Sequence, residues 1–70
     1  MLEKLDTAQN LGFIAKLNKL DRIPVKDQKL WNMVVDTPDI EDISNLYEAW
    51  LAGWDSCNLE YKRYAKQSKS

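Results

Sequence analysis

Apolar residues recur at intervals of three and four from residue 40 to residue 64, the most regular pattern in the chain. Such spacing places side chains on one face of an α-helix, as in the seam of a coiled coil. We call this face the aromatic stripe, because five of its eight members are among the seven aromatic residues of the chain. Its members are Ile40, Ile43, Tyr47, Trp50, Trp54, Cys57, Tyr61 and Tyr64. The pattern predicts one long amphipathic helix that carries most of the adhesive surface.

A helix start precedes the stripe. Thr37 is a good N-cap, Pro38 suits the first helical position, and carboxylates follow in the first turn. We therefore predict a helix over 38–65 and a disordered tail over 67–70. Gly53 in the helix interior either kinks the helix or lets another helix approach closely.

Two shorter helices are predicted before it, over 7–20 and 26–35. Asp6 or Thr7 can cap the first, which an earlier turn through Leu2 and Leu5 would extend backwards. Pro24 predicts a break after it.

The second short helix follows from the spacing of Leu30, Met33 and Val34. A short buried strand over 33–35 also fits, but a single strand has no partner elsewhere in the sequence.

These patterns predict an all-α fold, a small three-helix arrangement with one long C-terminal amphipathic, aromatic-rich helix in a single domain over 1–66. The long helix would extend about 42 Å and the others about 21 and 15 Å, at the usual rise per residue. The short helices therefore cover only part of the stripe, and Tyr61 and Tyr64 are the residues most exposed by the mismatch. Leu51 and Leu59 lie off the stripe and hint at a second contact face.

Charge is unevenly distributed along a chain whose net charge is −1. Residues 36–60 carry seven carboxylates and no Lys or Arg, whereas residues 61–70 carry four basic residues and no acid. This polarity suits a helix macrodipole, and it also predicts an acidic surface that engages a basic partner. Glu41, Glu48 and Asp55 recur every seven residues and share one face of the helix.

The sequence argues against catalysis. It has no histidine, and its only cysteine, Cys57, lies within the aromatic stripe, where a buried structural thiol fits better than a reactive one. No internal disulfide and no Cys/His zinc site can form, and the only glycines, Gly12 and Gly53, make no phosphate-binding loop. We predict no catalytic residue, no metal site and no cofactor.

The same composition bears on where the protein is located and on whether it binds nucleic acid. The charged N-terminal segment predicts no signal peptide, no apolar run is long enough for a membrane span, and a lone cysteine fits the cytoplasm. Basic and aromatic residues over 61–66 have the chemistry to stack on bases and hold phosphates, but the seven carboxylates before them would repel a polyanion.

The segment over 47–57, YEAWLAGWDSC, resembles a helix of the form aromatic-x-A-W-x-x-G found in short accessory proteins of tailed bacteriophages. The resemblance covers about eleven residues and carries over no site residue. It implies a protein that binds and inhibits a host factor in the bacterial cytoplasm, including a defence protein.

The resulting hypothesis is a non-enzymatic module that binds a protein partner stoichiometrically. Predicted partner-binding residues are the aromatic anchors and the acidic row, namely Trp50, Trp54, Tyr61, Tyr64, Glu41, Glu48 and Asp55. The alternatives are a self-assembling helical homodimer and a nucleic-acid-binding regulator that uses the basic C-terminal turn.

Overall fold

The structure, a computed structural model, describes the backbone of residues 2–68 and the side chains of residues 3–60. The elements in chain order are α1 (Leu2–Leu17), a 3-10 turn (Pro24–Lys26), α2 (Gln28–Val35) and α3 (Ile40–Ser68). The predicted all-α fold with one long C-terminal helix is confirmed. No strand occurs in the described part of the chain, so the strand alternative for 33–35 is wrong.

Helix α1 begins earlier and ends earlier than the predicted 7–20. Thr7 does not cap it, because the Thr7 hydroxyl donates to the Glu3 carbonyl within the helix, at 2.9 Å. The helix ends in a Schellman motif, in which the amides of Lys19 and Leu20 donate to the carbonyls of Lys16 and Ala15. Lys19 adopts the left-handed conformation, with φ of 61°. Glycine is the usual residue at this position, so no local signal marked the helix end at Leu17, and Pro24 indicated only a break farther along the chain.

Helix α2 starts at a side-chain cap and is tied to α3 by the same residue. One oxygen of the Asp27 carboxylate accepts from the backbone amides of Lys29 and Leu30, at 3.0 and 3.4 Å. The other oxygen accepts from the Trp50 indole nitrogen of α3, at 2.8 Å. Asp27 therefore fixes the start of α2 against the middle of α3.

Helix α3 begins two residues after the predicted start. Asp39, not Thr37, caps it, because the Asp39 carboxylate accepts from the Glu41 amide at 2.9 Å. The Thr37 hydroxyl instead donates to the Met33 carbonyl at the end of α2, at 2.8 Å, and Thr37 is buried. The helix is assigned as far as Ser68, and residues 69 and 70 lie outside the described residues, so the disordered tail over 67–70 stays a prediction.

The two glycines bring α1 and α3 into backbone contact. A Cβ atom on Gly12 would lie 1.9 Å from the Trp50 carbonyl oxygen, and one on Gly53 would lie 1.9 Å from the Gln9 carbonyl oxygen. Of the two predictions for Gly53, close approach of a neighbouring helix is therefore the one that the structure shows. α3 is assigned as one continuous helix through this residue.

The core forms where the three helices meet. It comprises Ala8 and Ala15 of α1, Leu30 and Val34 of α2, and Leu46 and Trp50 of α3. Small residues on α1 permit the close approach, and the large indole of Trp50 fills the space beside it.

The buried face of α3 is rotated from the predicted aromatic stripe. Leu46 is fully buried although it lies outside the stripe, and Gly53 is also buried. Ile40, the first member of the stripe, is 82% exposed. The aromatic stripe was defined by large apolar side chains, whereas the face of α3 that contacts α1 is centred on Gly53.

Helices α1 and α3 run in the same direction, and α3 extends farther. Gly12 contacts the backbone of α3 at Trp50, and Leu17, the last residue of α1, lines a concavity together with Cys57. From Cys57, α3 continues to Ser68, about 16 Å by helix rise. The predicted length mismatch is therefore present, since α3 has 29 residues and α1 and α2 have 16 and 8.

Candidate protein-binding surface

Helix α2 presents two large apolar side chains to solvent. Leu30 and Val34 point into the core, so the residues that follow each of them, Trp31 and Val35, lie about 100° around the helix. Trp31 is 45% exposed and Val35 is 60% exposed. They are four residues apart and therefore neighbours on one helix face.

The chain continues this apolar character across the short link into α3. Ile40, at the first position of α3, is the most exposed large hydrophobic residue described, at 82%. Asp36 and Asp39 in the link are exposed carboxylates, and Glu41 follows Ile40. We name this set the apolar–acidic surface; its members are Trp31, Val35, Asp36, Asp39, Ile40 and Glu41.

The two tryptophans predicted as anchors are engaged inside the protein. Trp50 is 1% exposed, and its indole nitrogen donates to Asp27. Trp54 is half-buried, and its indole nitrogen donates to the Leu20 carbonyl at 3.0 Å. The Lys16 ammonium lies 4.9 Å from the centroid of the Trp54 ring, within cation–π range. Trp50 therefore has almost no surface for a partner in this fold, and Trp54 has little.

One member of the predicted acidic row, Asp55, forms an ion pair within the protein. Glu41 and Glu48 are exposed. The guanidinium of Arg22 donates two hydrogen bonds, both of 2.8 Å, to the carboxylate of Asp55. These hydrogen bonds lower the pKa of Asp55; partial desolvation opposes the shift, and the positive charge of Arg22 adds to it. The pair holds the link after α1 against α3, so Asp55 is occupied within the chain.

Tyr61 and Tyr64 lie outside the residues whose side chains the structure describes. Their backbone belongs to α3, beyond the level at which α1 ends. Their assignment as partner-binding residues stays a prediction.

A second group of exposed apolar residues surrounds the end of α1. Leu17, Leu20, Ile23 and Val25 are 62, 52, 39 and 58% exposed. A concavity of about 290 Å³ nearby is lined by Lys16, Leu17, Lys19 and Cys57. The charged residues here are mostly basic, in contrast to the apolar–acidic surface.

Cys57 has the environment expected of a structural thiol. It is 3% exposed and lines a concavity together with Lys16 and Leu17 of α1. Within residues 3–60, no three His, Cys, Asp or Glu side chains are grouped as a metal site would require.

Sequence reasoning missed Trp31, although the signal was present. Once Leu30 and Val34 are assigned to the core, the helical period places Trp31 and Val35 outside it. The density of apolar residues over 30–35 obscured this division between the two faces.

None of the helices over residues 2–68 combines the length and the apolar character that crossing a bilayer requires. Comparison with known proteins adds no relative, since no family model, no curated protein and no solved structure matches the chain.

Proposed function

We propose that this protein is a non-enzymatic binding module that docks onto another protein through the apolar–acidic surface. The observation that carries the proposal is the exposure of Trp31, Val35 and Ile40 on and beside a helix whose opposite face is fixed in the core. Tryptophan is among the residues most enriched at interface hot spots, because it buries a large area with little loss of side-chain entropy.

Side-chain hydrogen bonds hold α2 at both of its ends. Asp27 caps α2 at its start and binds Trp50, while the Thr37 hydroxyl closes its end on the Met33 carbonyl. A rigid support lowers the entropy lost on binding, so the exposed side chains are presented in a binding-ready geometry.

The charges beside the apolar residues define the partner. Asp36, Asp39 and Glu41 are exposed around Val35 and Ile40. A complementary site is an apolar groove rimmed by Lys or Arg on a folded protein, and association should slow as salt is added. The resemblance to phage accessory proteins favours a bacterial host protein, inhibited by stoichiometric occupation of that groove.

The test is capture by the immobilised protein from bacterial lysate, followed by mass spectrometry of what binds in one-to-one amount. Trp31→Ala and Ile40→Asp should each reduce capture of that protein at least about tenfold, the effect of losing one hot-spot residue. Leu17→Ser is the matched control, since Leu17 is also exposed but lies at the C-terminal end of α1, outside the apolar–acidic surface. Capture that Trp31→Ala and Leu17→Ser reduce equally would contradict the proposal.

Circular dichroism melts of each variant separate loss of the surface from loss of the fold. Ile40 is 82% exposed, so Ile40→Asp should leave the melting temperature near that of the wild type. Loss of capture by a folded Ile40→Asp variant therefore reports on the surface itself.

A further inference from the structure

The exposed apolar residues at the end of α1 form a second surface, which the proposed function leaves unused. Within nine residues of the chain, four aliphatic residues are between 39 and 62% exposed: Leu17, Leu20, Ile23 and Val25. Exposed apolar residues that are grouped in this way commonly mark a binding surface. We name this set, with its two adjoining lysines, the apolar–basic surface; its members are Lys16, Leu17, Lys19, Leu20, Ile23 and Val25.

Most of the charge in this part of the chain is positive, and some of it is already compensated. Residues 16–26 carry four basic residues and one acid. Arg22 is occupied by its ion pair with Asp55, at 2.8 Å. The single acid, Asp21, lies 4.0 Å from the Lys26 ammonium.

Lys16 and Lys19 supply the positive charge that is left. Both line one concavity together with Leu17, so charge and apolar surface lie side by side. Among residues 3–60, no carboxylate forms an ion pair with either lysine. This surface therefore fits a partner that is both apolar and negatively charged.

The apolar–acidic surface of the same chain has that chemistry. Its exposed apolar residues are Trp31, Val35 and Ile40. The segment over 36–41 carries three exposed carboxylates and no basic residue. The proposed function requires an apolar site rimmed by Lys or Arg, and the chain itself carries such a site at the end of α1.

The two surfaces lie too far apart to meet within one copy. Ile40 is the first residue of α3, whereas Leu20 is held at the level of Trp54 by the hydrogen bond from the Trp54 indole to the Leu20 carbonyl. The interval from residue 40 to residue 54 is about 21 Å of helix. Complementary surfaces at two different places on one chain meet between copies, as a heterologous interface does.

We propose that copies of this chain associate head to tail, with the apolar–acidic surface of one copy docked on the apolar–basic surface of the next. The proposal rests on the proposed function only in sharing the apolar–acidic surface, and it requires no second protein. Each contact joins two small surfaces, so association is weak and dilution releases the apolar–acidic surface for another partner.

The first test is the mass of the wild type by sedimentation equilibrium. At low salt, the mass should rise from 8.2 kDa with concentration and pass twice that value, because each docked copy leaves one surface open at either end. Sodium chloride should lower it, since the charges are exposed and screened. A mass that stays at 8.2 kDa, or that levels at twice that value, would overturn head-to-tail association.

Charge reversal on each surface tests which residues meet. Lys19→Glu and Asp36→Lys should each raise the dissociation constant at least about tenfold, because each sets like charges against one another. Glutamate at residue 19 has the same left-handed backbone cost as lysine, and a cation at residue 36 suits the C-terminal end of α2, so both variants should fold. Lys29→Glu is the matched control, since Lys29 is exposed and belongs to neither surface.

Mixing the two variants gives the decisive arm. The Lys19→Glu copy keeps an intact apolar–acidic surface, and the Asp36→Lys copy keeps an intact apolar–basic surface. An equimolar mixture should therefore associate, although each variant alone does not. A mixture that stays monomeric while circular dichroism shows both variants folded would overturn the proposal, as would a Lys29→Glu variant that loses association equally.

Two further readouts separate this proposal from its alternatives. Lys19→Glu should capture the same bacterial protein as the wild type, because its apolar–acidic surface is unchanged; self-association without any capture would defeat the proposed function alone, and capture by a protein that never self-associates would defeat this proposal alone. Phosphatidylglycerol vesicles test an anionic membrane as the occupant. A protein that stays monomeric but sediments with these vesicles, and loses them on Lys19→Glu, would overturn self-association in favour of a lipid surface.

Discussion

Replacing Gly53 by alanine should strongly destabilise the protein, although helix propensity alone predicts the opposite. Alanine in a helix interior is favoured over glycine by about 1 kcal/mol. In this fold, however, the added Cβ would lie 1.9 Å from the Gln9 carbonyl oxygen, where ordinary contact begins at 3.4 Å. The obstacle is backbone, so α1 and α3 must separate by about 1.5 Å at this point.

The size of the effect follows from that separation. A gap of 0.5–1 Å already removes roughly a quarter to a half of the attraction between packed atoms, and overpacking typically costs about 1–3 kcal/mol or more. Because the obstacle is backbone, we take the upper end of that range, about 3 kcal/mol, and subtracting the gain of about 1 kcal/mol in helix propensity leaves a net loss of about 2 kcal/mol. For a domain of this size, that lowers the melting temperature by roughly 8–16 °C.

The assay is thermal and urea unfolding followed by circular dichroism. Ala52→Gly is the matched control, because Ala52 is exposed on the same helix and its loss should cost only about 1 kcal/mol of helix propensity. A Gly53→Ala variant as stable as the wild type, or more stable, would refute the close packing of α1 on α3.

Three further predictions concern the connections between the helices. Asp27→Ala should lower the free energy of unfolding by about 2–4 kcal/mol, measured with urea, because it removes the cap of α2 and leaves the buried Trp50 indole N–H without its acceptor. A loss no larger than that of an ordinary helix cap would show that the hydrogen bond to Trp50 contributes nothing. Lys19→Gly should raise the stability by about 1 kcal/mol in the same assay, because glycine adopts the left-handed conformation that Lys19 holds at the end of α1; a decrease would contradict that geometry. The folded pKa of Asp55 is lowered, so the Arg22–Asp55 pair contributes stability above the unfolded pKa of about 3.9, and this contribution is lost as the pH falls through the folded pKa. The difference in urea midpoint between wild type and Asp55→Asn should therefore shrink as the pH falls from neutrality. A difference that grows would contradict the ion pair.

Local sequence signals predicted the elements well where periodicity is strong. The intervals of three and four in the last third of the chain correctly indicated a long helix, and Leu30 and Val34 correctly indicated α2. These patterns report which side chains one helix can bury, and burial dominates the stability of each element.

Contacts between elements were beyond reach of the sequence. Gly53 sits against Gln9, far away in the chain, and nothing local distinguishes this approach from a kink. Asp27 likewise serves α2 and Trp50 together. The core face of α3 was misplaced for the same reason, because a glycine at a helix crossing carries no hydrophobic signal.

The acidic residues of the candidate surface were part of the sequence hypothesis, whereas the exposure of Trp31 was not. Trp50 lies in the core, and Trp31 takes the exposed position, because α2 covers the middle of α3.

Fluorine NMR of protein labelled with 5-fluorotryptophan tests most directly whether the apolar–acidic surface binds a protein partner. The chain has three tryptophans, so three resonances are expected, and Trp31→Phe assigns one of them. On titration with the purified captured protein, the Trp31 resonance should shift or broaden in proportion to the complex formed, while the other two resonances, those of Trp50 and Trp54, stay in place. A complex that forms while the Trp31 resonance remains unchanged would contradict the account.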